Sequence, residues 1–272
     1  MKDKISLAGD LGSGKSTVSD ILISRLGAEY YSTGAIVRAI AQRRGMTVTE
    51  LNVYMETHPE IDHEIDDGIA ALSEVDKLLI IDSRMAWHFT RGTFRVYLSV
   101  DVETSALRIM NANRVGEHCA TLAETIAATQ ARRESEQKRY MTQYGVDIKD
   151  LSNYDLIVDT TAATPDEVAD VIVSAFAAWQ SDRSYRATYL TGERINFPDE
   201  APEGEEIEAL VATLERGGEI PPVTVVERAG EFYLVDGHAS ALAHTMLSTY
   251  VPATLVKGDV PDTTYVRMRN SL

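Results

Sequence analysis

Residues 9–16 have the sequence GDLGSGKS, which matches the pattern G-x-x-x-x-G-K-[ST] at every position. The residues before it, Lys4–Ala8, are predicted to form a short buried strand. Lys15–Leu26 are predicted to form a helix with apolar residues at helical spacing. Glycines between a strand and a helix let backbone N–H groups wrap an anion at the helix N-terminus. This stretch therefore predicts a phosphate-binding P-loop.

Each residue type in the loop has a predicted role. Lys15 can reach the β- and γ-phosphates of a nucleoside triphosphate, and the hydroxyl of Ser16 can ligate magnesium. The loop thus predicts ATP and Mg²⁺ as ligands. The residues predicted to surround the triphosphate are Gly9, Gly12, Ser13, Gly14, Lys15, Ser16 and Thr17.

Strands and helices alternate outward from the loop. This alternation predicts an α/β fold with a mostly parallel sheet flanked by helices. Further strands are predicted at Glu29–Ser32, Leu78–Asp82, Arg95–Ser99 and Asp155–Asp159. Helices are predicted at Gly34–Arg44, Val48–Thr57, Ile61–Leu72, Val102–Met110, Leu122–Tyr144 and Pro165–Trp179, with Pro59 as a breaker.

Asp82 ends the most apolar of these strands. A carboxylate at this place can lie beside magnesium, directly or through water. It can equally be a polar cap at the end of a strand, and the pattern alone leaves both interpretations open. Asp82 is a candidate catalytic and metal-binding residue on the first interpretation.

The character of the sequence changes after Trp179. We predict an α/β domain over residues 1–180, a linker over 181–190 and a small α+β domain over 191–272. In the second domain, helices are predicted at Ile207–Arg216 and Ala239–Leu247. Strands are predicted at Val223–Glu227, Glu231–Val235, Ala253–Val256 and Tyr265–Met268.

Composition limits the partners. The chain has 42 acidic and 26 basic residues, for a net charge of −16. Such a chain is repelled overall by nucleic acid and by anionic membranes, so DNA binding would need a local basic cleft. No apolar run approaches the roughly 20 residues that span a bilayer. A single cysteine and the lack of a leader-like start predict a cytoplasmic protein.

Residues 1–180 resemble cytidylate kinases, most closely the short archaeal type. Six blocks in family order carry the resemblance, which covers about two-thirds of the chain. They are the P-loop, residues 32–38 (STGAIVR), 60–66 (EIDHEID), 82–87 (DSRMAW), 133–147 (from RESEQKRY to YGVD) and 154–160 (YDLIVDT).

The resemblance implies roles for individual residues. Arg38 and Arg84 would hold the acceptor phosphate, and Arg133 and Arg139 would lie across the phosphates. Residues 111–119 would form a lid. The catalytic candidates are Lys15, Asp82, Arg84, Arg133 and Arg139. The acceptor-binding candidates are Ser32, Thr33, Gly34, Arg38, Asp62, Arg84 and Asp147.

The residues themselves also favour phosphoryl transfer, which depends on positioning and on cationic stabilisation. Arg132, Arg133 and Arg139 lie on one predicted helix, and the seven-residue spacing puts Arg132 and Arg139 on one face. The alternative is a solvated helix with local charge pairs such as Glu136–Arg139. In addition, residues 82–84 lack the glycine of the family motif, which predicts an altered acceptor pocket.

The C-terminal segment resembles the ParB/sulfiredoxin-like fold. The residues that carry this resemblance are 220–225 (IPPVTV), 233–238 (YLVDGH) and 251–253 (VPA). In that superfamily the turn grips a nucleotide phosphate or contributes to chemistry. Here the second histidine and the arginine of the turn are missing, which favours a simple helix cap by Asp236 and Gly237, with His238 packed nearby, over a phosphate or catalytic site.

Three functions follow as hypotheses. The first is an ATP-dependent kinase acting on a free pyrimidine nucleotide such as CMP, dCMP or a modified relative. The second is a phage-type kinase acting on 5-hydroxymethyluracil within DNA during base hypermodification. This would make DNA carrying a modified pyrimidine a partner, with the base flipped into the site. The third is a non-catalytic, nucleotide-gated binding module.

Overall fold

The computed structural model describes residues 3–112, 121–200 and 202–267. The chain divides into two compact units. The first comprises residues 1–156 and 165–185, and the second comprises 157–164 and 186–272. Residues 113–119 of the predicted lid and Met268 lie outside the described residues. No helix in the described ranges is long and apolar enough to cross a membrane.

The sheet of the first unit is parallel, with the strand order β2-β3-β1-β4. These strands are β1 (Lys4–Gly9), β2 (Glu29–Ser32), β3 (Leu79–Asp82) and β4 (Thr93–Ser99). Most residues of β1, β3 and β4 are buried, as expected for strands covered by helices on both faces. Leu7 and Ser32 both pair with Asp82, which places the ends of these strands at one edge of the sheet.

Eight helices of the first unit are described within these ranges. They are α1 (Lys15–Leu26), α2 (Thr33–Arg44), α3 (Val48–Met55), α4 (Pro59–Ala71), α5 (Ala86–Phe89), α6 (Val102–Asn111), α7 (Leu122–Tyr144) and α8 (Pro165–Ser181). The break predicted at Pro59 lies between α3 and α4, but α4 begins at Pro59 itself and not at Ile61, because a proline at the first helical position loses no intrahelical hydrogen bond. The short helix α5 is absent from the sequence-based prediction.

Capping fixes where two of these helices begin. Thr47 and Glu50 form a reciprocal capping box at α3, and Thr121 and Glu124 form another at α7. Helix α7 then continues for 23 residues until Gly145, whose φ of 65° ends it. One long helix therefore carries every arginine between residues 122 and 144.

The second unit is a mixed α/β unit with the strand order β11-β7-β9-β8-β10-β6. Its strands are β6 (Ala187–Leu190), β7 (Ile195–Pro198), β8 (Val223–Arg228), β9 (Glu231–Asp236), β10 (Val251–Val256) and β11 (Tyr265–Arg267), and its helices are α9 (Gly204–Glu215) and α10 (His238–Met246). Part of the predicted linker is wrong, because residues 187–190 form a strand that pairs antiparallel with β10. Strand β5 (Leu156–Asp159) contributes its last three residues to this unit.

A buried charge network joins those residues to the rest of the second unit. Arg194 Nε lies 3.2 Å from Asp159 Oδ1, and Arg194 Nη1 lies 3.1 Å from Glu231 Oε2. Asp159 and Arg194 are 0% and 2% exposed. The Asp159 carboxylate also accepts a short hydrogen bond from the Thr191 hydroxyl. Burial raises the pKa of Asp159, while Arg194 opposes that rise.

Candidate active site

The segment between β1 and α1 forms an open, glycine-containing loop. Gly12 and Gly14 have φ angles of 73° and 81°, values that favour glycine. A Cβ at Gly14 would meet no atom within 4 Å, so this side of the loop faces open space. Helix α1 begins directly afterwards without a side-chain cap. Its first N–H groups are therefore available to a phosphate.

A glycine is required at position 9 for a different reason. Its φ is 140°, and a Cβ there would lie 2.3 Å from the carbonyl oxygen of Leu98. Gly9 also does not line the cavity described below. The close approach of β4 requires this glycine, and its carbonyl group accepts hydrogen bonds from Lys15 Nζ at 3.1 Å and Arg84 Nη1 at 2.6 Å.

Lys15 folds back over the loop that carries it. Its Nζ donates to the carbonyl oxygens of Asp10 at 2.7 Å and Gly9 at 3.1 Å. Burial, followed by the nearby Arg84, lowers the pKa of Lys15 to about 7, against the opposing effect of Asp82 and other carboxylates. A polyphosphate would supply the negative charge that restores the protonated form.

A cavity of about 280 Å³ opens in front of the loop. It brings together most of the residues that the sequence pointed to for the two substrates. From the P-loop these are residues 11–17, and from the predicted acceptor blocks they are Thr33, Gly34, Arg38, Asp82, Ser83 and Arg84. Helix α3 contributes Val48, Thr49 and Asn52, and helix α7 contributes Thr125, Ala128, Thr129, Arg132, Glu136, Arg139 and Tyr140.

Glu136 lies between two arginines of this cavity. Its Oε2 is 2.9 Å from Arg84 Nε, and its Oε1 is 3.1 Å from Arg132 Nε. Burial opposes ionisation of Glu136, but Arg84 and Arg132 lower its pKa to about 2. Glu136 therefore stays ionised at any ordinary pH. The local pair Glu136–Arg139, considered from spacing, gives way to this tertiary pair with Arg84.

At the α3–α7 end of the cavity, Arg139 joins two polar partners. Its Nη1 donates to the carbonyl oxygen and to Oδ1 of Asn52, both at 3.3 Å. Its Nε lies 3.1 Å from Asp62 Oδ2, and both side chains are 4% exposed. Burial raises the pKa of Asp62, while Arg139 opposes the rise. Because Oδ1 of Asn52 faces Arg139, Nδ2 is buried without a hydrogen-bond partner.

The oxygen donors predicted for magnesium are in the same cavity. Ser16 and Asp82 both line it. The Asp82 carboxylate accepts a hydrogen bond from the Tyr30 hydroxyl at 3.1 Å. The backbone carbonyl oxygen of Asp82 accepts one from the Thr33 hydroxyl at 3.2 Å. Hydroxyl and carboxylate oxygens suit Mg²⁺, so these residues fit the ion. The described residues contain no cluster of three His, Cys, Asp or Glu side chains that could hold a metal.

Besides Gly9, four predicted site residues do not line this cavity. Ser32 caps α2 by accepting from the Ala35 N–H at 3.3 Å. Asp62 is buried against Arg139, as described above. The remaining two are held elsewhere. Arg133 Nη2 lies 3.2 Å from Asp10 Oδ1, and Asp147 accepts from Gln137 at 2.6 Å and from the Lys149 N–H at 2.8 Å.

Several residues of the cavity were not among the predicted site residues, and three of them carry a charge or a side-chain amide. Arg132, rather than Arg133, lines it, together with Glu136 and Asn52. The spacing of residues 132, 136 and 139 is the helical i, i+4, i+7 pattern, which could have selected Arg132 and Glu136 as one face. Asn52 had no such signal, because it is a single polar residue within a short helix.

A P-loop between a buried strand and an uncapped helix, facing arginines of a second helix across a cavity, defines a P-loop kinase-type enzyme. The model of the Cytidylate kinase-like family matches residues 4–162. The chain therefore belongs to the cytidylate kinase-like family, and this part of it is a nucleotide kinase domain.

Individual relatives agree with this assignment. A cytidylate kinase of Thermoplasma volcanium is 33% identical over 193 residues, which is 70% of this chain and 99% of that protein. A protein of Lacinutrix mariniflava named as an S-adenosylmethionine-dependent nucleotide dehydratase is 37% identical over 177 residues, which is 65% of this chain. The chain spans only 36% of that relative's length.

The chain also has distant matches among solved structures. The shikimate kinase of Bacteroides thetaiotaomicron is 15% identical to this chain. The match covers 64% of this chain and 98% of the shikimate kinase chain. Its TM-score is 0.47.

Proposed function

We propose that the enzyme transfers the γ-phosphoryl group of ATP to a pyrimidine nucleoside monophosphate, CMP or dCMP. The main observation in support is that one cavity is lined by residues of the P-loop, by the predicted acceptor residues Gly34, Arg38 and Arg84, and by arginines of α7. A donor phosphate at the loop and an acceptor phosphate at Arg38 and Arg84 would face each other. Phosphoryl transfer needs that alignment and cations around the moving group.

Each side chain has a distinct part in this proposal. The N-terminus of α1 and Lys15 hold the β- and γ-phosphates. Arg84 and Arg132 neutralise charge that spreads over the transferred group, since a planar guanidinium matches phosphate oxygens. Ser16 and Asp82 would hold Mg²⁺, which when bound supplies charge neutralisation for the phosphates. Helix α3 closes the far end of the cavity.

The polar groups at that far end favour cytosine. Asn52 Nδ2 is a buried donor without a partner, and the Arg139 guanidinium lies beside it. Two adjacent donors suit a base edge with two adjacent acceptors. Cytosine offers such an edge through its O2 and N3 atoms, whereas uracil carries a hydrogen on N3. A buried donor without its acceptor is costly, so this contact would discriminate between bases.

An acceptor assay tests the proposal. The protein is incubated with Mg²⁺ and γ-labelled ATP, together with CMP, dCMP, UMP, a duplex containing 5-hydroxymethyluracil, or no acceptor. We expect label on CMP or dCMP, less on UMP, and none on the duplex. Label retained on DNA would favour the DNA kinase instead, and ATP turnover without labelled acceptor would favour the nucleotide-gated module. Lys15→Ala should abolish transfer.

A second variant tests the base contact. Asn52→Ala should raise the KM for CMP about tenfold or more, because a buried hydrogen bond is lost, while turnover of ATP without acceptor stays unchanged. Gln42→Ala removes an exposed amide of α2 outside the cavity and should leave both values unchanged. An unaltered KM for CMP in Asn52→Ala would refute the role of Asn52.

We also propose that the second unit is ParB/sulfiredoxin-like. The sequence blocks at residues 220–225 and 233–238 support this, since they form β8, β9 and the start of α10. Gly237 precedes α10 with a φ of 85°, and its N–H bonds to the Asp236 carboxylate at 2.9 Å. No side-chain hydrogen bond caps α10, so Asp236 does not act as its cap, and the His238 ring packs 5.5 Å from that of Phe197 between centroids. The cytoplasmic location stays a prediction.

A further inference from the structure

Glu136 places a negative charge in the cavity that we propose binds the negatively charged phosphates. Its carboxylate is 8% exposed on the side-chain scale and has Arg84 on one oxygen and Arg132 on the other. A buried negative charge beside the P-loop repels the phosphates that the cavity is meant to attract. The enzyme must therefore gain something else from Glu136.

The contacts of Arg84 suggest what that is. Its Nε is held by Glu136 at 2.9 Å, and its Nη1 donates to the Gly9 carbonyl oxygen at 2.6 Å. Two contacts on different atoms of one planar group fix its orientation. One contact comes from helix α7 and the other from the end of β1, where the P-loop begins. Arg84 therefore connects α7 to the phosphate-binding loop.

Arg132 is held in a related way. Its Nε donates to the other Glu136 oxygen at 3.1 Å, one turn away on the same helix. One carboxylate therefore contacts both guanidinium groups through their Nε atoms. Each bond is charge-assisted and mostly buried, so each restricts its arginine more than a surface ion pair would.

We propose that Glu136 is a positioning residue that fixes Arg84 and Arg132 toward the phosphoryl group in transit. This rests on the proposed function, because it assigns a task within the same site. Pre-oriented donors stabilise a transition state without reorganising during the reaction, whereas loose arginines must first be ordered. Glu136 also separates cations that would otherwise repel one another in the nucleotide-free enzyme.

The proposal predicts a split between the kinetic constants. Glu136→Gln keeps the shape of the side chain but removes its charge. We expect kcat to fall about 10- to 100-fold, because oriented cationic donors are lost. We expect the KM for ATP to stay the same or to fall, because the site becomes more positive. The matched control is Glu134→Gln, which neutralises an exposed glutamate two residues earlier and should behave as wild type.

A second variant separates orientation from charge. Glu136→Asp retains the charge and shortens the reach, so positioning predicts a lowered kcat, and a purely electrostatic role predicts a wild-type kcat. In a double-mutant cycle, Glu136→Gln should cost much less in an Arg132→Ala background than in wild type. A wild-type kcat in both Glu136 variants, or costs that simply add to that of Arg132→Ala, would overturn the proposal.

Its failure can be told apart from failure of the proposed function. Binding of inorganic tripolyphosphate and ATP hydrolysis without acceptor need no knowledge of the acceptor. If wild type labels none of the nucleotides, the proposed acceptor is wrong, and the Glu136 variants are then compared by hydrolysis alone. If wild type phosphorylates CMP and the Glu136 variants match it, only the positioning role is wrong.

Discussion

The lowered pKa of Lys15 makes nucleotide binding depend on pH. In the nucleotide-free protein this pKa is about 7, with burial as the main cause and Arg84 next. Bound polyphosphate favours the ammonium form and raises the pKa. The binding energy gained from Lys15 is therefore fully present below pH 7, and it weakens as the pH rises above 7, because a proton must be taken up on binding.

The size of the effect follows from the value of about 7. If the bound pKa lies above the tested range, the dissociation constant for ATP should rise about 25-fold between pH 7.5 and pH 9. At pH 8, binding should take up about 0.9 proton per site. Nucleotide phosphates have their second pKa near 6, so they contribute little in this range.

Calorimetry in buffers of different ionisation enthalpy measures both quantities at once. Lys15→Arg is the control, because arginine stays charged throughout and its affinity should not change with pH in this way. A wild-type affinity as flat as that of Lys15→Arg, with proton uptake near zero at pH 8, would show that Lys15 is already charged before the nucleotide binds.

Three further substitutions test the fold that carries the site. Gly9→Ala, which places a Cβ 2.3 Å from the Leu98 carbonyl oxygen, should cost about 3 kcal/mol or more in stability; a thermal midpoint close to wild type would contradict this. Arg194→Met strands the buried Asp159 carboxylate and should cost about 3–5 kcal/mol at pH 7 in urea denaturation. This cost should shrink at acidic pH, because protonated Asp159 needs no counter-charge. Asp101→Ala removes the cap that accepts two N–H groups of α6 and should cost about 1 kcal/mol, seen as a lower thermal midpoint.

Local sequence predicted much of the first unit. Periodicity and glycine placement located β1, the P-loop and α1, because each depends on residues that are neighbours in the chain. The same reasoning missed β6 and β7, since strands of only four residues are too short for their alternation to be recognised without the strands that they pair with. It also placed the start of α4 at Ile61, although proline is accepted at the first helical position and α4 begins at Pro59.

The candidate site likewise has features that the sequence predicted and features that it did not. A helical face that carried Arg132 and Arg139 could be read from spacing, and the resemblance supplied Arg38 and Arg84. Which partner each arginine takes could not be read in this way. Arg133 pairs with Asp10, which lies 123 residues earlier in the chain. Ion pairs between distant segments depend on how the helices pack, and no local pattern encodes that.

By itself, the sequence determined that a phosphate loop opens a parallel α/β domain and that arginines gather on one later helix. These features are local, so backbone preferences and side-chain periodicity set them. Tertiary structure alone decided that Glu136 would pair with Arg84, that Arg133 would pair with Asp10 instead of lining the cavity, and that Asn52 would keep an unpaired donor at its end. The physical reason is that burial and charge pairing act through space, between groups that meet only once the chain has folded.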